Sequence, residues 1–352
     1  MRLLLAKALL FPALLGALLL ALKTQDRHAD IGPYWRKLQD VRRLAPETVL
    51  LGSSRTYRHV DPVALDSLRA DGATTYNFGL PGSRALETHY RADRLLAMGL
   101  PGLERLVVEL APFDVAPAEA SRETRRVQHA HDWRRARIGA ETALAAELPL
   151  RRRLVAAADR YRLWTRNTFL VGWGRALAAS LAAERAAPDP STVGRRGFVG
   201  LGEISDEALR ARRAEFLSPR GRAEFEARTR ATRSRGAAVP TRRDSVGARA
   251  WARLAERGAR RGVEVVFVEQ VGTENGAALA RLVAGELGAD RVLVLNDAAR
   301  YPDLFEYEAW FDVAHLQGRI AERVTGILAE RLPPRPSAAS ERRGAAELPG
   351  GG

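Results

Sequence analysis

Five short apolar runs, each closed by a turn signal, alternate with helical stretches. This alternation constrains the fold more than any other feature of the chain. Val49-Leu50-Leu51 ends at Gly52. The run from Thr74 to Phe78 is closed by Gly79-Leu-Pro-Gly82, and the run from Arg105 to Leu110 by Pro112. Gly262 to Val268 and Arg291 to Leu295 complete the set. Between them, residues 83–98 place Leu86, Tyr90 and Leu95 inward at helical spacing. Residues 246–261 do the same with Trp251, Leu254 and Ala255, 275–288 read as a further helix, and 316–331 bury Leu316, Ile320, Val324, Ile327 and Leu328. Such alternation predicts an α/β fold with a doubly wound, mostly parallel sheet. Ligands bind beyond the carboxyl ends of the strands in such sheets. Gly52–Ser54, Gly79–Gly82 and Ala111–Asp114 all follow strands and are expected to meet at one edge.

The pattern breaks between 116 and 245. Charge rises, β-branched residues thin out, and long Arg/Ala/Glu stretches predict a helical insertion or cap, with Ala187–Pro190 and Thr229–Arg243 as loops. The insertion reads equally well as a functional cap or as a solvated decoration. The α/β core is then 46–115 with 246–332. Residues 23–45 read as a polar, partly helical stalk, and the Pro-, Ser-, Arg- and Gly-rich 333–352 as a disordered tail.

From Leu3 to Leu22 the only polar residue is Lys7. Twenty residues of helix span about 30 Å, the thickness of a hydrocarbon core. Lys7 sits near one end, where it can snorkel to the headgroups. No small-x-small cleavage pair closes the segment, so 1–22 reads as an uncleaved transmembrane signal anchor rather than a removed signal peptide. Basic residues behind it outnumber those before it, which by count alone favours a cytoplasmic domain, but long domains translocate largely regardless of charge.

The net charge of +14 invites a nucleic-acid reading. However, 53 of the 56 basic residues are arginine, they are spread over many segments, and no nucleic-acid-binding motif accompanies them. The excess reads as composition bias, and no nucleic-acid partner is expected. The chain has no cysteine, which excludes disulfides, thiolate metal sites and a cysteine nucleophile.

Candidate chemistry rests on two short motifs far apart in sequence. Ser54 lies at the Gly52-Ser-Ser54 turn ending the first apolar run, and Asp312-Val-Ala-His315 precedes the last helix. A serine hydroxyl is a weak nucleophile until a base takes its proton. Histidine suits that task, and a carboxylate on its other ring nitrogen fixes the tautomer. Asp312 and His315, three apart, can share one turn. An acyl oxyanion needs N–H donors, for which the backbones of Ser54 and Gly82 are candidates.

The order of these blocks resembles the SGNH (GDSL-like) hydrolase superfamily over about 46–115 and 246–332. The first block of that family, Gly-Asp-Ser, is matched by Gly52-Ser53-Ser54, its oxyanion glycine by Gly82, and its closing Asp-x-x-His by Asp312 and His315. The resemblance implies a flavodoxin-like three-layer fold and a catalytic set of Ser54, Asp312 and His315. The variants Leu-Gly-Ser-Ser-Arg-Thr, Tyr-Asn-Phe-Gly-Leu-Pro-Gly and Phe-Asp-Val-Ala-His are similar to those of membrane-anchored bacterial members involved in acylating cell-surface polymers. This implies a single-pass inner-membrane protein with an extracytoplasmic domain at the cell envelope. It further implies an esterase or O-acyltransferase acting on an acyl ester of a surface polysaccharide or lipid, alongside a membrane acyl-transfer partner and without a cofactor. One departure is plain. The family's Gly-x-Asn-Asp block falls at Val108–Asp114, with Phe113 where the oxyanion-hole Asn stands. Either Arg55 or Asn77 supplies the missing donor, or the site is slow or inactive and the chain is a scaffold binding glycan or a membrane-complex partner.

Three further features are open. Glu109 lies in an apolar run and needs a partner, either an arginine or groups of the site. His129-Ala-His131-Asp132 has ligand-type residues but no companion cluster, so no metal site is expected. The Arg-rich helices of the insertion are also suited to pressing on anionic lipid.

Overall fold

The computed structural model describes residues 10, 14, 16–18, 32–122, 124–170, 195–201, 207–234, 239–272 and 276–335. All five apolar runs form strands: β1 (Thr48–Gly52), β2 (Thr75–Gly79), β3 (Arg105–Glu109), β4 (Glu264–Glu269) and β5 (Val292–Val294). They pair in parallel throughout, in the spatial order β2-β1-β3-β4-β5.

The helices are α1 (Gly32–Leu44), α2 (Ser54–His59), α3 (Pro62–Arg69), α4 (Ala85–Met98), α5 (Glu119–Arg122), α6 (Arg125–His129), α7 (Trp133–Ala145), α8 (Leu150–Thr168), α9 (Glu207–Leu217), α10 (Pro219–Ser234), α11 (Arg242–Ala259), α12 (Ala277–Leu287) and α13 (Gly318–Arg331). Side chains alternate across the strands. Val49, Leu51, Phe78, Leu106, Val108, Val265 and Phe267 pack with α1, α4, α11 and α12. Leu50, Val107, Val266, Val268 and Leu293 pack with α3 and α13, joined by Phe216 and Phe225 of α9 and α10. Helices therefore cover both faces. The order of strands reverses beside β1, so the residues after Gly52 lie where the connections diverge.

Three expectations are corrected. Residues 32–44 are not stalk: Tyr34, Leu38 and Val41 share one face of α1 and are buried in the core. Their spacing of four and three is the amphipathic signal, masked in sequence by the basic residues around it. Residues 23–31 lie outside the described residues. The expected loop from Thr229 is helical to Ser234, held by Phe225 in the core and by the i,i+4 pairs Arg222–Glu226 and Arg228–Glu224. Helix α11 starts at Arg242, capped reciprocally by Thr241 and Asp244. Ala187–Pro190 lie outside the described residues. The expected tail also begins late: Arg69 donates to the Pro333 carbonyl at 2.9 Å and Arg335 pairs with Glu104 at 2.9 Å. Residues 336–352 lie outside the described residues.

The segment expected to span a membrane, 1–22, is described only at Leu10, Leu14 and residues 16–18, all helical and exposed. Among the described residues no helix is long and apolar enough to cross a membrane.

The described parts of the insertion pack on the core at several points. Residues 195–197 lie at the outer edge of β2, where the Asn77 N–H donates to the Arg196 carbonyl at 2.9 Å, and the segment goes on to α2 and α13, with the Val199 N–H on Tyr57 O at 3.3 Å and the Gly318 N–H on Leu201 O at 3.1 Å. An exposed strand edge is thereby covered. Lys37 of α1 locks this segment down, donating to Asn77 O at 2.6 Å and Gly197 O at 2.7 Å. Burial pushes the Lys37 amine down to about 7, against the opposing pull of Asp40. Between pH 7 and about 10 the unfolded chain therefore holds a proton that the folded chain has released, and stability from this group rises with pH across that window. Denaturant unfolding at pH 7 and pH 9 is expected to show a slope approaching about 1.4 kcal/mol per pH unit in the parent relative to Lys37→Met. Parallel pH profiles would rule out the buried amine.

Candidate active site

Ser54 opens α2 directly after β1. The turn that presents it is built by Glu109 at the end of neighbouring β3. The Glu109 carboxylate accepts from the Ser53 N–H at 2.7 Å, from Ser53 Oγ at 2.8 Å and from Thr56 Oγ1 at 2.9 Å. Ser53 Oγ in turn accepts from the Arg55 N–H at 3.2 Å, capping α2. The hydrogen bonds Glu109 makes among the described residues are thus to groups of the site, not to an arginine. Glycine is required at 52, because a Cβ there would fall on Thr56 Oγ1 and Glu109 Oε2.

His315 lies beside Ser54. Its Nε2 is 2.7 Å from Ser54 Oγ, and its Nδ1 is 2.9 Å and 3.0 Å from the two oxygens of Asp312. With Nδ1–H donating to Asp312, Nε2 is free to accept the Ser54 hydroxyl proton. Asp312 also accepts the N–H groups of Ala314 at 2.8 Å and His315 at 2.9 Å. The motif forms a tight turn two residues ahead of α13, closed by an antiparallel bridge between Trp310 and Leu316. Burial pushes the Asp312 carboxyl up. The hydrogen bond and charge of His315 and the two backbone bonds outweigh it, so the carboxyl sits below its ordinary range.

Two supporting groups escaped the sequence reading. His59, at the end of α2, accepts the Leu316 N–H on its Nε2 at 3.0 Å and stands edge-on to His315 at 6.3 Å. Burial, aided by the charges of His315 and Arg55, drives its pKa well below the ordinary histidine value. It stays neutral and acts as a strut. Arg213 of α9 donates to the carbonyls of Trp310 at 2.7 Å and Phe311 at 2.9 Å, tying the insertion to the residues just before Asp312. Neither carries a local motif. A pocket of about 310 Å³ lies between α9–α10 and the Asp312–His315 turn, lined by Arg212, Glu215, Phe216 and Glu224 among others.

The expected oxyanion donors separate. Gly82 sits in the turn after β2 at φ +67°, a conformation suited to glycine. Arg126 of α6 grips this turn, donating to Pro81 O at 2.7 Å and Gly82 O at 2.8 Å, and is held by Glu87 at 2.9 Å. The C=O of Pro81 and the N–H of Gly82 belong to one planar trans peptide and point opposite ways. Arg126 thereby fixes the direction of the Gly82 N–H. Asn77 is corrected. Its amide hydrogens go to Thr56 O and Val60 O, both at 2.7 Å, and its oxygen accepts the Gly79 N–H at 2.9 Å. It fastens α2 to β2 and has no donor left for an oxyanion. Arg55 places its guanidinium against Gly272 in the loop after β4, where its charge acts on buried Glu269. By strand order, Gly82 lies on the β2 side of Ser54 and the Arg55 guanidinium on the β4 side. Phe113 turns inward and stacks on Trp251 at 5.1 Å.

The remaining ligand-type residues serve structure. His131 donates from Nδ1 to Val127 O at 2.6 Å and faces Arg160 through Nε2. Burial and Arg160 push it down to about 4. His129 meets the Tyr90 hydroxyl at 3.2 Å, and Asp132 caps α7. Among the described residues no group of three or more ligand-type side chains could hold a metal ion.

Compared with protein-family models, with curated proteins and with solved structures, the chain matches none.

Replacing Glu109 by Gln puts an NH₂ against groups that donate to it. Glu109→Gln is expected to lower the unfolding free energy by about 1–3 kcal/mol, measured by denaturant titration. A change below about 0.5 kcal/mol would show that the turn holds without the carboxylate.

Proposed function

We propose that this chain is a serine esterase or O-acyltransferase of the SGNH hydrolase type. The observation that carries the reading is the Ser54–His315–Asp312 relay, with Ser54 Oγ 2.7 Å from His315 Nε2. The strand order supports the fold part of the proposal, since 2-1-3-4-5 is the flavodoxin-like doubly wound order with ligands at its switch point. Ser54 follows β1 at that point.

In the proposed reaction Ser54 Oγ attacks an acyl carbonyl as its proton passes to His315 Nε2. The imidazolium, held by Asp312, then protonates the leaving alkoxide, and an acyl-serine remains. Water or a sugar hydroxyl, deprotonated by His315, releases the acyl group. The Ser54 and Gly82 N–H groups are assigned to the oxyanion, and Arg126 to aiming the latter. The apolar run 3–22 supports a membrane anchor, and the resemblance to envelope-acylating proteins supports a domain outside the cytoplasm. An acyl ester of a surface polysaccharide or lipid is the proposed substrate, and a membrane acyl-transfer protein the proposed partner. One observation favours a second reading, a scaffold without activity: Phe113, at the position of the family's oxyanion-hole Asn, is committed to the core.

Hydrolysis of a short-chain acyl ester is expected to fall by on the order of 10³-fold or more in Ser54→Ala. Asp312→Asn is expected to fall by about 10³–10⁴-fold, since an amide on Nδ1 moves the ring proton to Nε2, facing Ser54. Equal, non-zero hydrolysis by parent and Ser54→Ala would sink the assignment. Absence of Ser54 labelling by a fluorophosphonate would favour the scaffold.

Loosening the Gly82 peptide should act on the transition state rather than on binding. Arg126→Ala is expected to cut kcat about tenfold, less than the 10²–10³ of losing a donor outright. KM should stay nearly constant, with partial rescue by free guanidinium. A rise in KM at unchanged kcat would place Arg126 in substrate binding instead.

A further inference from the structure

The α7–α8 hairpin ends in an apolar tip that the rest of the described chain leaves uncovered. Leu144 is 43% exposed, Leu148 39%, Leu150 59%, Leu154 52% and Val155 57%. Single exposed leucines are ordinary, but five large apolar side chains around one turn mark an interaction surface. They are not needed for the hairpin itself, whose helices close on Ala140, Ala143, Ala156 and Ala157. Leu150 and Leu154 are one helical turn apart on α8, and the tip is pinned by Arg153 donating to the Leu144 carbonyl at 3.1 Å.

The same turn is cationic. Arg151, Arg152 and Arg153 occupy the first turn of α8, which holds no acidic residue. The positive end of the helix dipole lies there already, so three arginines raise the energy of the free hairpin unless an anion faces them. Arg151 and Arg152 are exposed, and no ion pair to them is present among the described residues. Glu147 is the only acid between 144 and 155.

Apolar side chains interleaved with arginines are suited to the boundary where acyl chains meet phosphates. We propose that the α7–α8 tip docks on an anionic lipid surface. Leu148, Leu150, Leu154 and Val155 enter the headgroup region while Arg151 and Arg152 face phosphates. A second copy of this chain is disfavoured as occupant, because two tips would bring like charges together on a protein of net charge +14. The inference depends on neither the enzymatic reading nor the N-terminal segment.

The chain contains no cysteine, so Leu154→Cys offers a unique site for an environment-sensitive fluorophore on the full-length protein. The labelled protein is reconstituted in phosphatidylcholine vesicles with or without phosphatidylglycerol. With phosphatidylglycerol, blue-shifted emission and quenching by brominated acyl chains are expected. A control label at Leu217→Cys, exposed on α9, should stay aqueous. Changing Arg151 and Arg152 together to Gln should lower the docking equilibrium about 30-fold, and added salt should weaken it. Aqueous emission from position 154 in both vesicles would overturn the proposal. So would a shift equal in both vesicles and indifferent to the arginines. A shift that appears in lipid-free detergent and grows with protein concentration would assign the tip to a second copy.

Discussion

The carboxylate of Glu109 is the constraint from which the rest of the site follows. It projects from the end of β3 into the turn after β1 and takes up donors from Ser53 and Thr56. A carboxylate at this depth is tolerated only when its oxygens are hydrogen-bonded. The donors on offer belong to the turn that starts α2. Glycine at 52 is then forced by the close approach, and Arg91 completes the clamp by donating to the Gly52 carbonyl at 2.9 Å. The direction in which Ser54 leaves the sheet is set by these contacts before histidine is considered.

Arginine does in this structure what composition alone does not suggest. Arg126 holds two carbonyls after β2, Arg213 two ahead of Asp312, and Arg69 three where α13 gives way to Pro333. A guanidinium carries five donors in a fixed plane and can satisfy neighbouring chain carbonyls in a way a lysine ammonium cannot. In sequence the high arginine content reads as composition bias rather than as a nucleic-acid surface. At these positions it is the fastening between insertion, sheet and last helix. The insertion is accordingly part of the site's wall, because α9 and α6 grip the loops that carry Asp312 and Gly82.

The strands were legible because each is an apolar run ended by glycine, proline or a polar turn, and burial on both faces leaves no alternative for such runs. The dyad was legible because Ser54 closes an apolar run at a tight turn and Asp312-Val-Ala-His315 sets an acid and a base three residues apart ahead of the last helix. What sequence could not show were contacts between residues remote in the chain. In sequence Glu109 stays open between an arginine and groups of the site. Asn77 reads as one candidate donor because nothing local reveals that Thr56 and Val60 take its amide hydrogens. His59 has no motif at all, since its partner is a backbone N–H 257 residues away. The burial of α1 is hidden for a different reason: Tyr34, Leu38 and Val41 stand at helical spacing, but basic residues lie between them.

The Phe113 position illustrates how a core decision limits a site. Its ring lies parallel to Trp251 and edge-on to His89, both buried. An asparagine placed there with the same side-chain direction would bury an amide among aromatic rings, which costs about 1–3 kcal/mol for a polar group left unpaired. To reach an oxyanion it would have to turn outward, leaving a void beside Trp251. The core and a side-chain donor from this loop therefore compete for one residue, and the core has taken it. Any third donor has to come from elsewhere along the sheet edge. Asn77 is spent, while the Arg55 guanidinium shares the β4 side with Glu269, whose carboxyl burial pushes up. For the proposed oxyanion hole that leaves backbone N–H groups, and its quality would rest on how firmly the Gly82 peptide is aimed. That makes the Glu87–Arg126 pair, outside every recognisable motif, the element on which oxyanion binding in this fold would depend.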